Sequence, residues 1–566
     1  MNFNEFKYEP VDISKVKNEL GALVDEFKNA QSAKEQIRLV QEINDYRSHV
    51  DTMFQLCNVR FTINTLDKYY AKEQDDNDMK MPEYQAIIDS YYRVLNTAKY
   101  KDALVRKYGE LLFKQIEVQL KTFSPAIIED LKEENKWSSQ YSKLISSAKI
   151  KYKGKTYNLP SMRKFMVSED RRTRSSAFKA VSNWFEVHCA EFDEIYDKLV
   201  HIRDTMAHKL GFENYDQLGY YRLGRTDFGP EEVKAYREQI YKTVVPIAKK
   251  LYRKQAKRLN LKGMKSYDYN LQFTNGNATP IGDTNTKVNN AIQMYDEMSP
   301  ETGEFFHHMV DCGLIDLDAK PGKMSGGYTC TFSEYKTPFV FSNFNGTSGD
   351  IDVLTHEMGH AFMAYTVYKN HPSVLNEQVW PTYEACEIHS MSMEFFAYPY
   401  MERFFEKDTK KYLYSHLVDA VEFLPYGAAI DEFQHFVYEN PNVKPVERRA
   451  KWREIEHKYQ PHLKYSTPFF ESGAKWFQQL HVFQSPFYYI DYTLAQVCAF
   501  AFFNLMREDP KAAWDKYLYL CDLGGSKSFL NLLKAIKFVD PFKPRSIAKI
   551  MKPIQAYLNS FDDTKL

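Results

Sequence analysis

The sequence predicts a mostly α-helical fold with a small β-sheet just ahead of one helix rich in chemistry. Three observations predict it. Apolar residues recur at three- and four-residue spacing from Val16 to Phe123, the period of a helix with one buried face. Further stretches of this kind lie at Ser175–Leu210 and Pro230–Leu261. The pattern then changes. Two β-prone runs, Tyr328–Phe332 and Phe339–Phe344, are bounded by Pro321, Gly322, Gly326, Gly327, Pro338 and Gly346, which reads as a hairpin or small sheet.

Taken in order, Pro125, Pro160, Pro230 and Pro246 punctuate the helical pattern. Ile150–Pro160 alternates around Gly154 and predicts a small hairpin or loop. A soft boundary there divides an N-terminal helical region, residues 1–160, from the remainder, residues 161–566. Ser348, Gly349 and Asp350 are good helix-start residues, and Ile351, Val353, Leu354, Met358, Ala361 and Phe362 can bury the helix they open. Pro381 suits the first position of a helix over Thr382–Phe396. Ser485 and Pro486 read as the cap and first residue of another.

Bulk composition narrows the function classes. At 566 residues the chain can hold two or more cores. It is 44% hydrophobic and 27% charged, as soluble globular proteins are. Lys+Arg and Asp+Glu both number 75, so the basic excess of a nucleic-acid binder is missing. Seven scattered cysteines without a C-x-x-C pair fit neither a disulfide framework nor a cysteine metal site, and favour a reducing compartment. The first residues are polar and charged, with no apolar signal-peptide core. No apolar run is long enough to span a membrane. The expectation is a cytoplasmic protein with neither nucleic acid nor membrane as partner; oligomeric state stays open.

The most informative stretch is Thr355-His356-Glu357-Met358-Gly359-His360. Residues four apart share one helix face, so His356 and His360 can reach one cation, with Glu357 beside them to activate water. Imidazole ligands and hydrolysis without redox change suit zinc. A catalytic zinc needs a third protein ligand and an open position. Glu384, Glu387 and Glu394 fall on one face of the next acidic helix, among Cys386, Ile388, Met391, Met393 and Phe395. Acids in that setting need a cation or hydrogen-bond donors.

H-E-x-G-H followed by E-x-x-S-x-x-x-E, here Glu387 to Glu394, resembles the thimet oligopeptidase and oligoendopeptidase F family of zinc peptidases. The overall size fits the oligoendopeptidase F and Pz-peptidase branch. The resemblance implies one zinc ion per chain, held by His356, His360 and Glu387, with Glu357 as general base. It gives Glu384 a part in orienting a ligand histidine, makes Glu394 a supporting acid and leaves His389 structural. Near the C-terminus it points to His481 and tyrosines in the run Gln479–Tyr492 as oxyanion donors. Tyr492, followed by Thr493-Leu494-Ala495, is the best match; Tyr488 or Tyr489 would accompany it. Resemblance also covers GGYTCTF, PFVFSNFNG, Glu169–Ala177 and His208–Tyr215, and so runs from about residue 160 to near 555. It implies two helical lobes flanking a deep substrate channel and an endopeptidase acting on short unfolded peptides. An aminopeptidase with the same metal core, or a helical peptide-binding scaffold whose motif is vestigial, are the competing readings.

Overall fold

The structure is a computed structural model, and it describes residues 1–324 and 326–566. Helices dominate; the described strands form two small sheets. The long periodic stretch resolves into helices Ile13–Asn29, Ala33–Ile63, Lys68–Asn96, Lys101–Tyr108 and Glu110–Lys121. Asp12, Ser32 and Asp67 cap the first three, each accepting a backbone N–H of the opening turn. The run read as Ser175–Leu210 is two helices, Arg171–Val187 and Cys189–Lys209, broken at His188. Pro230 opens helix Pro230–Arg258 as expected, but Pro246 lies inside it. A proline there costs about 3 kcal/mol; burial of Val244, Val245, Ile247 and Ala248 around it offsets that. Among the described residues no helix is long and apolar enough to cross a membrane.

Strands β1 (Ile150–Tyr152) and β2 (Lys155–Tyr157) make the expected hairpin. Lys153 and Gly154 both have positive φ, the two-residue turn whose twist matches the strands it joins.

Two compact units form, each from three segments: Met1–Leu120, Thr279–Glu406 and Ala501–Phe538 in the first, and Lys121–Ala278, Lys407–Phe500 and Val539–Leu566 in the second. The first contains a three-stranded sheet of β3 (Ile315–Asp318), β4 (Tyr328–Phe332) and β5 (Thr337–Phe344), in the order β3-β5-β4. β4 pairs antiparallel and β3 parallel to β5. Four residues of β3 were too few to signal a strand. Pro338, expected to bound the second run, lies within β5 opposite Thr331. Pairing with β3 begins only at Val340, so no ladder bond on that side asks for the missing N–H.

Helix Ala33–Ile63 supports the same unit through a buried polar stripe. Ser48 Oγ donates to Asn376 Oδ1 (2.9 Å), Asn376 N donates to Asn44 Oδ1 (2.8 Å) and Asn376 Nδ2 to Asp51 Oδ2 (2.9 Å). Arg47 Nη1 pairs with Glu377 Oε1 at 2.5 Å, and the Tyr92 hydroxyl donates to the same oxygen at 2.6 Å. Residues 44, 47, 48 and 51 share one helix face. That face anchors the segment that leads into the acidic helix.

In the second unit Glu134 is buried between two guanidiniums, Arg203 Nε at 2.7 Å and Arg222 Nη2 at 2.8 Å. The triad joins helices Ile128–Ser146, Cys189–Lys209 and Tyr215–Arg222. Burial pushes the Glu134 carboxyl up, but the two arginines outweigh it and hold it near 2. Removing one partner of a buried pair costs about 3–5 kcal/mol, so Glu134→Gln is expected to lose that much stability in urea unfolding at neutral pH. A depressed native value stabilises fully above the ordinary 4.5, and that share is lost as pH falls toward about 2. The gap between wild type and variant is therefore expected to narrow over that window; a gap independent of pH would show that charge is not its source.

Candidate metal centre

The site begins with a loop that its own helix holds in place. Ser348 precedes helix Gly349–Asn370 but makes no side-chain cap. Asp350 does the anchoring from the first turn. It accepts the N–H of Asn345 (2.8 Å) and of Gly346 (2.9 Å) and pairs with buried Lys287 (2.5 Å). Nearly two turns on, His356 and His360 share a face, ring centroids 5.1 Å apart.

The acidic helix runs over Tyr383–Phe396 with Thr382 at its N-cap. Pro381 therefore lies outside it and is not its first residue. Glu387 is buried, and its Oε2 stands 3.2 Å from His356 Nε2 and 3.4 Å from His360 Nε2. Ser390 Oγ donates to the same oxygen at 2.9 Å. Glu394, two turns beyond Glu387, places Oε1 2.7 Å from His356 Nδ1. Glu394 thus touches the far nitrogen of a motif histidine, and Glu384 accepts from the Thr382 hydroxyl at 2.7 Å. The two-turn spacing from Glu387 was the available signal. His389 is buried on the other face, as expected, and burial pushes it down to about 4.

Gly359 makes the approach of the two helices possible. A Cβ there would stand 2.6 Å from His389 O and 2.7 Å from Ser390 Cα, both backbone atoms. Helical periodicity gives this glycine no part, although a glycine in mid-helix is costly enough to need a reason.

His356, His360 and Glu387 bring their three ligand atoms within 4.8 Å of one another. A tetrahedral ion with bonds of about 2.05 Å separates its ligands by about 3.3 Å. The 3.2 and 3.4 Å separations straddle that value. With His356 Nδ1 held by Glu394, a cation displacing the Nε2 proton would meet that nitrogen's lone pair, the tautomer a metal ligand requires. The donor set therefore fits a single zinc-like cation. Burial disfavours charge on both groups, yet the carboxylates hold His356 well above, and the imidazoles hold Glu387 well below, their ordinary ranges. One more such cluster exists among the described residues: Asp216, His435 and Glu439. There both ring nitrogens are engaged, Nδ1 with Asp216 (3.2 Å) and Nε2 with the Tyr220 hydroxyl (3.2 Å).

Glu357 is buried beside the motif histidines, and Thr329 Oγ1 on β4 donates to its Oε2 at 2.6 Å. Trp380 lies 6.3 Å from the His360 ring, its Nε1 donating to Thr331 Oγ1 at 3.2 Å.

The second unit gathers His481, Tyr488, Tyr489 and Tyr492. His481 lies 5.6, 5.1 and 5.7 Å from the three tyrosine rings in that order, and Tyr488 packs on Tyr492 at 4.9 Å. Tyr489 also packs edge-on against Phe423 and Tyr426. The helix expected to begin at Ser485 starts at Tyr489, and Ser485 instead ends the short helix Leu480–Gln484. Phe487 explains the difference. Its φ of 65° is left-handed, incompatible with a helix running through it. A fully buried ring and a bond from Arg225 Nη2 to its carbonyl (2.7 Å) hold it there. Gln479 is a further residue not foreseen. Its amide oxygen accepts from Tyr426, and its nitrogen donates to His481 Nδ1 at 2.9 Å. That fixes the neutral His481 proton on Nε2, making Nε2 a donor.

Comparison with known proteins sets these features in a family. Residues 3–123 match the model of the peptidase M3 N-terminal domain, and residues 164–552 that of peptidase family M3. A solved structure of Pz peptidase A with an inhibitor aligns over 100% of both chains at 48% identity and a TM-score of 0.95. One assigned provisionally as oligoendopeptidase F aligns equally fully at 47% identity, TM-score 0.95. By sequence alone, an oligoendopeptidase F homologue of Borreliella burgdorferi is 27% identical over 242 residues, 41% of this chain and 39% of that protein.

Gly359→Ala tests the helix approach. Overpacking of this kind costs about 1–3 kcal/mol, and the variant is expected to lose that much in denaturant unfolding and to take up less zinc. A variant of wild-type stability and zinc uptake would show that the helices can yield without consequence.

Proposed function

The chain belongs to peptidase family M3, alongside Pz peptidase and oligoendopeptidase F, and on that footing we propose that it is a zinc-dependent oligoendopeptidase hydrolysing internal bonds of short unfolded peptides. The observation that carries the proposal is the convergence of two imidazoles on one buried carboxylate oxygen at tetrahedral spacing. His356, His360 and Glu387 would hold the ion. When bound, zinc supplies Lewis acidity, acidifying a water and polarising a peptide carbonyl. Glu357 takes the proton of the attacking water and hands it to the leaving amine. Glu394 keeps His356 in the ligating tautomer.

Among the described residues the outer edge of β4 has no strand partner in the sheet order. An extended peptide adding to that edge gains main-chain hydrogen bonds with little demand on sequence. Negative charge on the former carbonyl oxygen needs donors. We assign that task to Tyr492, with Tyr488 or His481. The family resemblance supports the assignment, as does the Gln479 bond that makes His481 Nε2 a donor. The family matches at residues 3–123 and 164–552 support a division into an N-terminal helical region, 1–160, and a catalytic region, 161–566. Seven free cysteines support a cytoplasmic setting.

Cleavage of a mixed peptide library, followed by mass spectrometry, is expected to stop with chelator and return with zinc. Peptides with blocked N-termini should be cut as readily as free ones; loss of cleavage on blocking would favour an aminopeptidase. Glu357→Gln is expected to keep its zinc and lose about 10²–10⁴-fold in turnover. His356→Ala should lose the metal, and unchanged zinc content would remove it from the ligand set. Tyr492→Phe is expected to lower kcat about 10²–10³-fold with zinc retained.

A further inference from the structure

We propose that Thr329 is the positioning residue for Glu357: it ties Oε2 to strand β4 and leaves Oε1 as the oxygen that accepts the proton. This rests on the reading of Glu357 as the base. The Thr329 hydroxyl lies 2.6 Å from Glu357 Oε2 and 3.1 Å from the Glu357 carbonyl oxygen. It has one hydrogen to give, and the shorter contact is in the range of about 2.5–2.7 Å for a hydroxyl donating to a charged carboxylate. Glutamate has several rotatable bonds and no preferred aim of its own. Threonine is β-branched and stiff at χ1, and the pairing of Thr329 with Val340 on β5 fixes its backbone. The strand thus lends its rigidity to a flexible side chain.

The other oxygen is treated differently. A Cβ at exposed Gly327 would stand 3.5 Å from Glu357 Oε1 and 3.3 Å from Val353 Cγ1. A side chain there would pack against Oε1. One carboxylate oxygen is bound to the sheet, and its twin lies beside a residue with no side chain. In the reaction the water proton passes to Oε1, giving a neutral carboxyl group, and then to the leaving amine nitrogen, restoring the carboxylate. Thr329 stays bonded to Oε2 throughout. Thr331, two residues on and on the same face of β4, accepts from Trp380 Nε1 and so holds that ring beside His360. One face of the strand therefore braces the groups around the motif helix, while its backbone edge is left for substrate.

The test compares Thr329→Val and Thr329→Ala, which remove the hydroxyl with and without its bulk, against Thr329→Ser, which retains it. Zinc content, kcat and KM are measured on the zinc-loaded full chain. The Glu357 carboxylate stretch is measured by infrared difference against Glu357→Gln on the metal-free protein. A misaimed catalytic group costs on the order of 10–10²-fold. That loss is expected in kcat for Val and Ala, with KM and zinc unchanged, the carboxylate band shifted, and most of both effects recovered by Ser. A kcat within twofold of wild type for whichever of Val and Ala folds, equal losses in all three variants, a loss confined to KM, or an unmoved band would each overturn the proposal. A wild-type protein that cleaves no peptide would instead overturn the peptidase reading, and a band shift would then still report the tie between Thr329 and Glu357.

Discussion

The closeness of helices Gly349–Asn370 and Tyr383–Phe396 is the constraint on which the rest of the metal centre depends. Glu387 meets both motif histidines only because nothing but hydrogen stands at Gly359 between the helix backbones. A protein interior is packed too densely to absorb an extra methyl group there without moving something. What would move is the wall that carries Glu387. The glycine inside the motif belongs to the packing of the site as much as the histidines belong to its chemistry.

Bringing charged groups this close out of water is unfavourable unless each has a partner. The surroundings supply them. Glu394 takes the far nitrogen of His356, Ser390 donates to Glu387, and Thr329 donates to Glu357. Farther out, the buried stripe of Asn44, Arg47 and Ser48 and the Tyr92 hydroxyl fasten Asn376 and Glu377, shortly before the acidic helix. The N-terminal helices thus belong to the first compact unit together with the site segments, over three hundred residues later in the chain. The same logic governs the second unit, where a left-handed Phe487 is held by a buried ring and an arginine, and sets the turn from which Tyr488, Tyr489 and Tyr492 project.

Much of the fold was legible from periodicity. The helical stretches, the Lys153–Gly154 hairpin and strand β4 at Tyr328–Phe332 follow from spacing and turn residues alone. The errors have a common form. Pro381, Ser485, Pro486 and Pro338 signal local boundaries, and each is overruled by packing: a cap one residue later, a left-handed Phe487, a strand that pairs with β3 only beyond its proline. Local propensities are worth about a kilocalorie, and burial of several large side chains exceeds that readily.

By itself the sequence determined which atoms of the motif helix face one way, because the helical repeat puts residues four apart on one side whatever surrounds them. It also marked an acidic helix as the source of a third ligand. It could not determine which acid meets which nitrogen. That choice rests on the distance and roll between two helices, set by a glycine and by backbone atoms far along the chain. Only the tertiary structure decided that Glu394 holds His356 and that Thr329 holds Glu357. Contacts across wide sequence separations have no period to read, because they arise from three-dimensional packing and not from the geometry of any one element.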